Sequence, residues 1–182
     1  MRYFFLFLLS TISLWSVPSQ VILIRHGEKP PEGDYLSLQG RERAAALVPC
    51  FLGSPALLHY GPPVAIYAMK PTNADSSIRS EQTMMYLADE LNLPIQNDFG
   101  YGETENLVEK INNSEEYEGK TVVICWPHTE LPQLAAQLGA KNSPKKWADG
   151  IFDRFWILTF EENGSVTFAN RPQKLLYGDS SR

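Results

Sequence analysis

Cysteine and positive charge are both scarce in these 182 residues, and each shortage removes a class of function. The only two cysteines, Cys50 and Cys125, have neither zinc-finger nor CxxC spacing, so no thiolate metal site or redox pair is expected. Cys125 falls within an apolar strand and Cys50 near the end of a helix, which favours two buried thiols over a disulfide. Sixteen lysines and arginines are outnumbered by 21 acids, for a net charge of −5, and no basic stripe offsets that balance. A nucleic-acid partner is therefore excluded. Missing too are a linker, an internal repeat, a low-complexity block and an apolar run of the ~20 residues that span a membrane comfortably.

The apolar run that does occur lies at the start. Met1-Arg2 leads into Tyr3-Phe4-Phe5-Leu6-Phe7-Leu8-Leu9 and on to Trp15, followed by Ser16-Val17-Pro18-Ser19-Gln20. This is the layout of a secretory signal peptide, with Val17 and Ser19 small enough for the minus-three and minus-one positions of a cleavage site. The expected organisation is a signal peptide over 1–19 and one domain over 20–182, secreted or periplasmic, with no stable membrane association after cleavage.

Within the domain, Val21-Ile22-Leu23-Ile24 and Val122-Val123-Ile124-Cys125-Trp126 are unbroken apolar runs, each leading into a histidine. Such runs read as parallel strands buried on both faces, and ligands in open α/β sheets sit just beyond the carboxyl ends of those strands. His26 and His128 occupy those ends. Helical spacing is expected over 38–51, with Ala44, Leu47, Val48 and Phe51 inward, and over 76–91, with Met84, Met85, Leu87, Ala88 and Leu91 inward. A strand at 64–68 separates these helices, shorter helices follow at 105–112 and 131–138, and Asn163-Gly164 between two apolar runs signals a terminal hairpin. Alternating strands and helices give a three-layer α/β/α sandwich with a mostly parallel central sheet.

Arg25 adjoins His26, and Arg79 opens the helix after the middle strand. Two histidines with two arginines at one sheet edge disfavour a metal ion, which guanidinium charges repel, and suit a phosphoryl dianion, whose oxygens match the planar guanidinium fork. No metal and no cofactor are expected. Lys29 and Lys70 could add charge to the rim, although solvated lysine is the default reading.

Three stretches in order carry a family resemblance: Leu23-Ile24-Arg25-His26-Gly27-Glu28 with Leu36-Ser37-Leu38-Gln39-Gly40, then Ile78-Arg79-Ser80-Glu81-Gln82-Thr83, then Val122 through His128-Thr129. Over nearly all of the mature chain the sequence resembles the histidine phosphatase superfamily, the phosphoglycerate-mutase-like group with an Arg-His-Gly signature. The resemblance implies that His26 is a nucleophile that becomes transiently phosphorylated, and that Arg25, Arg79 and His128 hold the phosphoryl oxygens. It implies phosphomonoester hydrolysis, on a small phosphorylated substrate or a phosphopeptide, with inorganic phosphate as product. A mutase-type phosphotransferase and a non-catalytic phospholigand-binding domain are the alternatives.

For the proton donor to the leaving group the resemblance points first to Glu103, with Glu130 and Glu28 as alternatives. Two features depart from the family pattern. Thr129 replaces the usual glycine after the second histidine, and the stretch from Lys70 to Asp75 is longer than the tight turn of the mutases. Specificity is expected from the loops 29–35, 70–75 and 96–105.

Overall fold

The structure, a computed structural model, describes residues 17–71 and 77–180. The apolar leader, the centre of the 70–75 loop and the expected helix start at Ser76 lie outside the described residues. The chain runs β1 (Gln20–Arg25), α1 (Leu38–Gly53), β2 (Pro63–Ala68), α2 (Arg79–Glu90), β3 (Ile95–Gln96), α3 (Thr104–Asn112), β4 (Thr121–Trp126), α4 (Leu131–Gln137), β5 (Arg154–Phe160) and β6 (Val166–Pro172). Among the described residues these strands make one sheet in the order β3-β2-β4-β1-β5-β6. The first four are parallel, and β5 pairs antiparallel with both β1 and β6.

The period-2 geometry of a strand divides each apolar run between two cores. Val21, Leu23, Val122 and Ile124 face α3 and α4, where Leu107, Ile111, Leu131 and Leu134 cover them. Ile22, Ile24, Val123 and Cys125 face α1 and α2 and meet Leu47, Phe51, Met84 and Leu87. The result is the expected three-layer α/β/α sandwich. Strands buried on both faces contain no polar alternation, which is why β1 and β4 read as continuous apolar runs.

Several details differ from the sequence reading. Val48 is only partly buried, while Arg43 on the same helix is 2% exposed. Met85 is exposed beside buried Met84, and Cys50 is half-buried instead of buried; Cys125 is fully buried, and both thiols are free. The two-residue strand β3 escapes the sequence pattern because so short an element carries no periodicity. Pro18 bridges Glu118, and the Ser19 carbonyl accepts the Phe160 N–H at 3.0 Å, so residues just before β1 belong to the sheet edge. Cleavage after Ser19 would remove both contacts. No helix among the described residues is long and apolar enough to cross a membrane.

Two glycines set the spacing between β1 and α1. A Cβ on Gly40 would lie 2.4 Å from the Glu28 carbonyl oxygen, and one on Gly27 would lie 2.9 Å from the Gly40 carbonyl oxygen. Neither backbone can retreat, because Ser37 N–H donates to the Glu28 carbonyl at 2.9 Å and the Ser37 hydroxyl caps α1 through Gly40 N–H at 3.1 Å. Gly40→Ala therefore lowers unfolding free energy by about 1–3 kcal/mol in urea titrations. Gly53→Ala, with nothing within 4 Å, is the matched control and costs nothing.

Candidate functional site

β1 and β4 are adjacent and parallel, with Arg25 opposite Trp126 in the register, so the residues just beyond them emerge side by side. His26 is the first residue after β1 and His128 the second after β4. β2 lies on the far side of β4, and the helix that follows it opens with Arg79. The topology thus gathers Arg25, His26, Arg79 and His128 at one sheet edge, as the sequence reading expects.

His26 is 6% exposed, and its Nδ1 lies 2.8 Å from the Gly27 carbonyl oxygen. A ring nitrogen facing a carbonyl must donate, which assigns the proton to Nδ1 and leaves the lone pair on Nε2. Burial pushes its pKa down to about 4 against the opposing Gly27 hydrogen bond, and the charges of Arg25, Arg79 and His128 push the same way as burial. The imidazole is consequently neutral at physiological pH, the state required of a nucleophile. In an NMR titration of the free protein, the His26 ring stays neutral until about pH 4; a midpoint near 6.5 would contradict this electrostatic setting. Since the folded value lies below the unfolded 6.5, the stability linked to neutral His26 is complete above that pH and is lost as pH falls through about 4.

The loop behind His26 is locked to α2. Gly27 N–H donates to the Thr83 hydroxyl at 2.8 Å, and that hydroxyl donates to the Arg79 carbonyl at 2.7 Å. Arg79 donates through Nε to the Tyr35 carbonyl at 3.1 Å and through Nη2 to the Gly33 carbonyl, which fixes the guanidinium against the 29–35 loop. Burial lowers its pKa, and the charge of Asp34 opposes the shift.

Arg25 is held by a segment that the sequence reading assigned no role. Its Nη1 donates to the carbonyls of Ala148, Asp149 and Ile151 at 3.3, 2.5 and 2.9 Å, and its guanidinium carbon lies 3.8 Å above the centre of the Phe152 ring. Trp147 anchors the segment from below, donating from its indole to the Ile151 carbonyl at 2.7 Å. Phe152 also stands 6.1 Å from the His26 ring, centre to centre. Burial pulls Arg25 down to about 10, opposed by the charges of Asp149 and Glu28, so it stays a cation at neutral pH. Its Nε is buried without a protein partner. An orphaned buried donor is costly, and an oxyanion would satisfy it.

His128 is half-buried, and its Nε2 lies 3.2 Å from Oδ1 of Asp149. Burial and the charge of Arg25 lower its pKa, with Asp149 pulling the other way. In sequence the only signal at this place is the turn dipeptide Asp149-Gly150, which marks a bend and says nothing of what it faces.

The three carboxylates expected as proton donors all have structural partners. Glu103 precedes α3 and accepts Gly100 N–H at 2.6 Å. Glu130 is buried, accepting the Trp126 indole N–H and Gly102 N–H, both at 2.8 Å. Glu28 binds Arg43 at 2.6 Å. The structure thus brings together the two histidines and two arginines, and each of the three acids has a hydrogen-bond partner of its own.

Among the described residues no group of three or more histidine, cysteine or carboxylate side chains could hold a metal ion. The donor set is cationic and hydrogen-bonding, suited to an oxyanion.

No protein-family model and no curated protein sequence matches the chain. Solved structures do. The chain is similar to the protein histidine phosphatase SixA complexed with tungstate, at 17% identity and a TM-score of 0.62, over 85% of this chain and 97% of that one. It is also similar to the phosphoglycerate mutase of Plasmodium falciparum, at 14% identity and a TM-score of 0.54, over 90% and 96% of the two chains. At these identities the likeness establishes the fold alone, which is phosphoglycerate-mutase-like.

Proposed function

We propose that this chain, which carries the phosphoglycerate-mutase-like fold, is an exported phosphomonoesterase that works through a phosphohistidine on His26. One observation carries the reading: a neutral, buried imidazole on which the charges of Arg25, Arg79 and His128 act has its Nδ1–H fixed on the Gly27 carbonyl, which leaves the lone pair on Nε2. Nε2 attacks phosphorus in line, the bond from phosphorus to the ester oxygen breaks, and water then cleaves the nitrogen–phosphorus bond to release inorganic phosphate. The two guanidinium groups and His128 hold the equatorial oxygens, whose charge in the transition state they stabilise. They supply the cationic stabilisation that a divalent ion gives in other phosphatases, and their charge would repel such an ion.

The similarity to a protein histidine phosphatase bound to tungstate, an oxyanion, supports a phosphoryl site. It also adds a phosphohistidine peptide to the substrates worth testing. Export rests on the leader sequence alone.

The test uses protein beginning at Val17, which keeps Pro18 and Ser19 in the sheet, with p-nitrophenyl phosphate in EDTA. Steady hydrolysis is expected. Phosphate binding without hydrolysis of any phosphoester would identify a ligand-binding domain instead, and transfer to an added acceptor in preference to water would identify a phosphotransferase.

A further inference from the structure

Glu103, Glu130 and Glu28 are occupied in holding turns and ion pairs, which leaves open where the leaving oxygen obtains its proton. The 147–152 segment supplies a different carboxylate. Asp149 is 80% exposed at its side chain, yet its backbone carbonyl accepts from Arg25 at 2.5 Å and its carboxylate Oδ1 lies 3.2 Å from His128 Nε2. Among the described residues it is the carboxylate hydrogen-bonded to a histidine of the cradle. From the geometry of this segment, and resting on the phosphatase reading above, we infer that Asp149 is the catalytic acid that protonates the leaving oxygen.

The arrangement has the two properties such a group needs. Its backbone is fixed by the arginine that binds the phosphoryl group, so the carboxyl group is registered to the substrate. Its side chain meets solvent, so the water of the second half-reaction can reach it. The charged group facing it is Arg25 and the titratable one is His128, whose pKa burial lowers and on which Lys29 also acts. A phosphoryl dianion seated on Arg25 offsets that cation and disfavours a second negative charge beside it. The protonated carboxyl group then gives its proton to the ester oxygen as the phosphorus–oxygen bond breaks, releasing the alcohol. In the second half-reaction the carboxylate takes a proton from the water that attacks phospho-His26, which restores the acid and frees phosphate and neutral His26.

Asp149→Asn keeps the size of the side chain and a hydrogen bond to His128 while removing the proton. General-acid help is worth about 10²–10⁴-fold when the leaving group is a poor one. Glycerol 2-phosphate, with an alkoxide leaving group, should therefore lose about that factor in kcat/KM. p-Nitrophenyl phosphate, whose leaving group departs without a proton, should change by less than about tenfold. Glu162→Gln, at an exposed acid in the β5–β6 turn, should leave both substrates unaffected. Equal losses on both substrates would make Asp149 a positioning residue for His128, and a gain on both would make it a competitor for the phosphate site. Either result overturns the assignment, as does an unchanged rate on glycerol 2-phosphate. Failure of the parent protein to hydrolyse either ester would overturn the phosphatase reading itself, and this assignment with it.

Discussion

His26→Ala lowers kcat/KM for p-nitrophenyl phosphate by about 10⁴–10⁶-fold, while inorganic phosphate still binds within about tenfold of the parent affinity. The asymmetry follows from where the cradle gets its rigidity. Arg25 is held by three carbonyls of the 147–152 segment and by Phe152, and Arg79 by the 29–35 loop, so neither depends on the imidazole for its placement. The variant therefore keeps its anion site and loses the lone pair. His128 cannot substitute, because its Nε2 is engaged with Asp149 on the other strand end. Arg25→Ala behaves differently: phosphate affinity falls together with rate, since both the oxyanion contact and the seating of the 147–152 segment are lost.

Arg43→Met destabilises the protein by about 3–5 kcal/mol, read as a shift in the urea midpoint with little change in slope. Arg43 is 2% exposed and joins three parts of the chain: Glu28 at 2.6 Å just after His26, Asp179 at 2.7 Å in the C-terminal segment and Gln173 at 2.9 Å after β6. Removing the guanidinium strands two nearly buried carboxylates. Much of the loss returns when Glu28→Gln and Asp179→Asn are added, because neutral partners carry no such penalty. Burial alone would raise the Asp179 pKa, but its bonds to Arg43 and to the backbone N–H groups of Leu176 and Leu175 outweigh it and hold the group below its usual value of 3.8. The stability that pair contributes is thus complete above the ordinary carboxylate range and is lost as pH falls through the lower, folded value.

The sheet and its four gathered side chains were legible in the sequence because they follow from local rules. Continuous apolar runs identify strands covered on both faces, and the residue after such a strand lies at a sheet edge wherever the strand is placed. What stayed hidden depends on contacts between distant segments. Trp147 through Phe152 reads as an unremarkable turn, and only the antiparallel addition of β5 beside β1 carries it over Arg25. Arg43 reads as a solvent-facing helix residue, because the acid that buries it, Asp179, lies far along the chain. Glu130 follows His128 closely enough to suggest an acid, yet α4 turns its carboxylate toward the Trp126 indole. Spacing in sequence reported proximity there but not direction.

The most direct test of the account is to mix the protein with p-nitrophenyl phosphate, quench within milliseconds into alkali, where a nitrogen–phosphorus bond survives, and locate the label by peptide mass spectrometry. The account predicts a single phosphoryl group on the peptide carrying His26, formed and discharged at rates that match steady turnover, and absent from His26→Ala. Steady hydrolysis with no phosphoenzyme, or with the phosphoryl group on another residue, would contradict it.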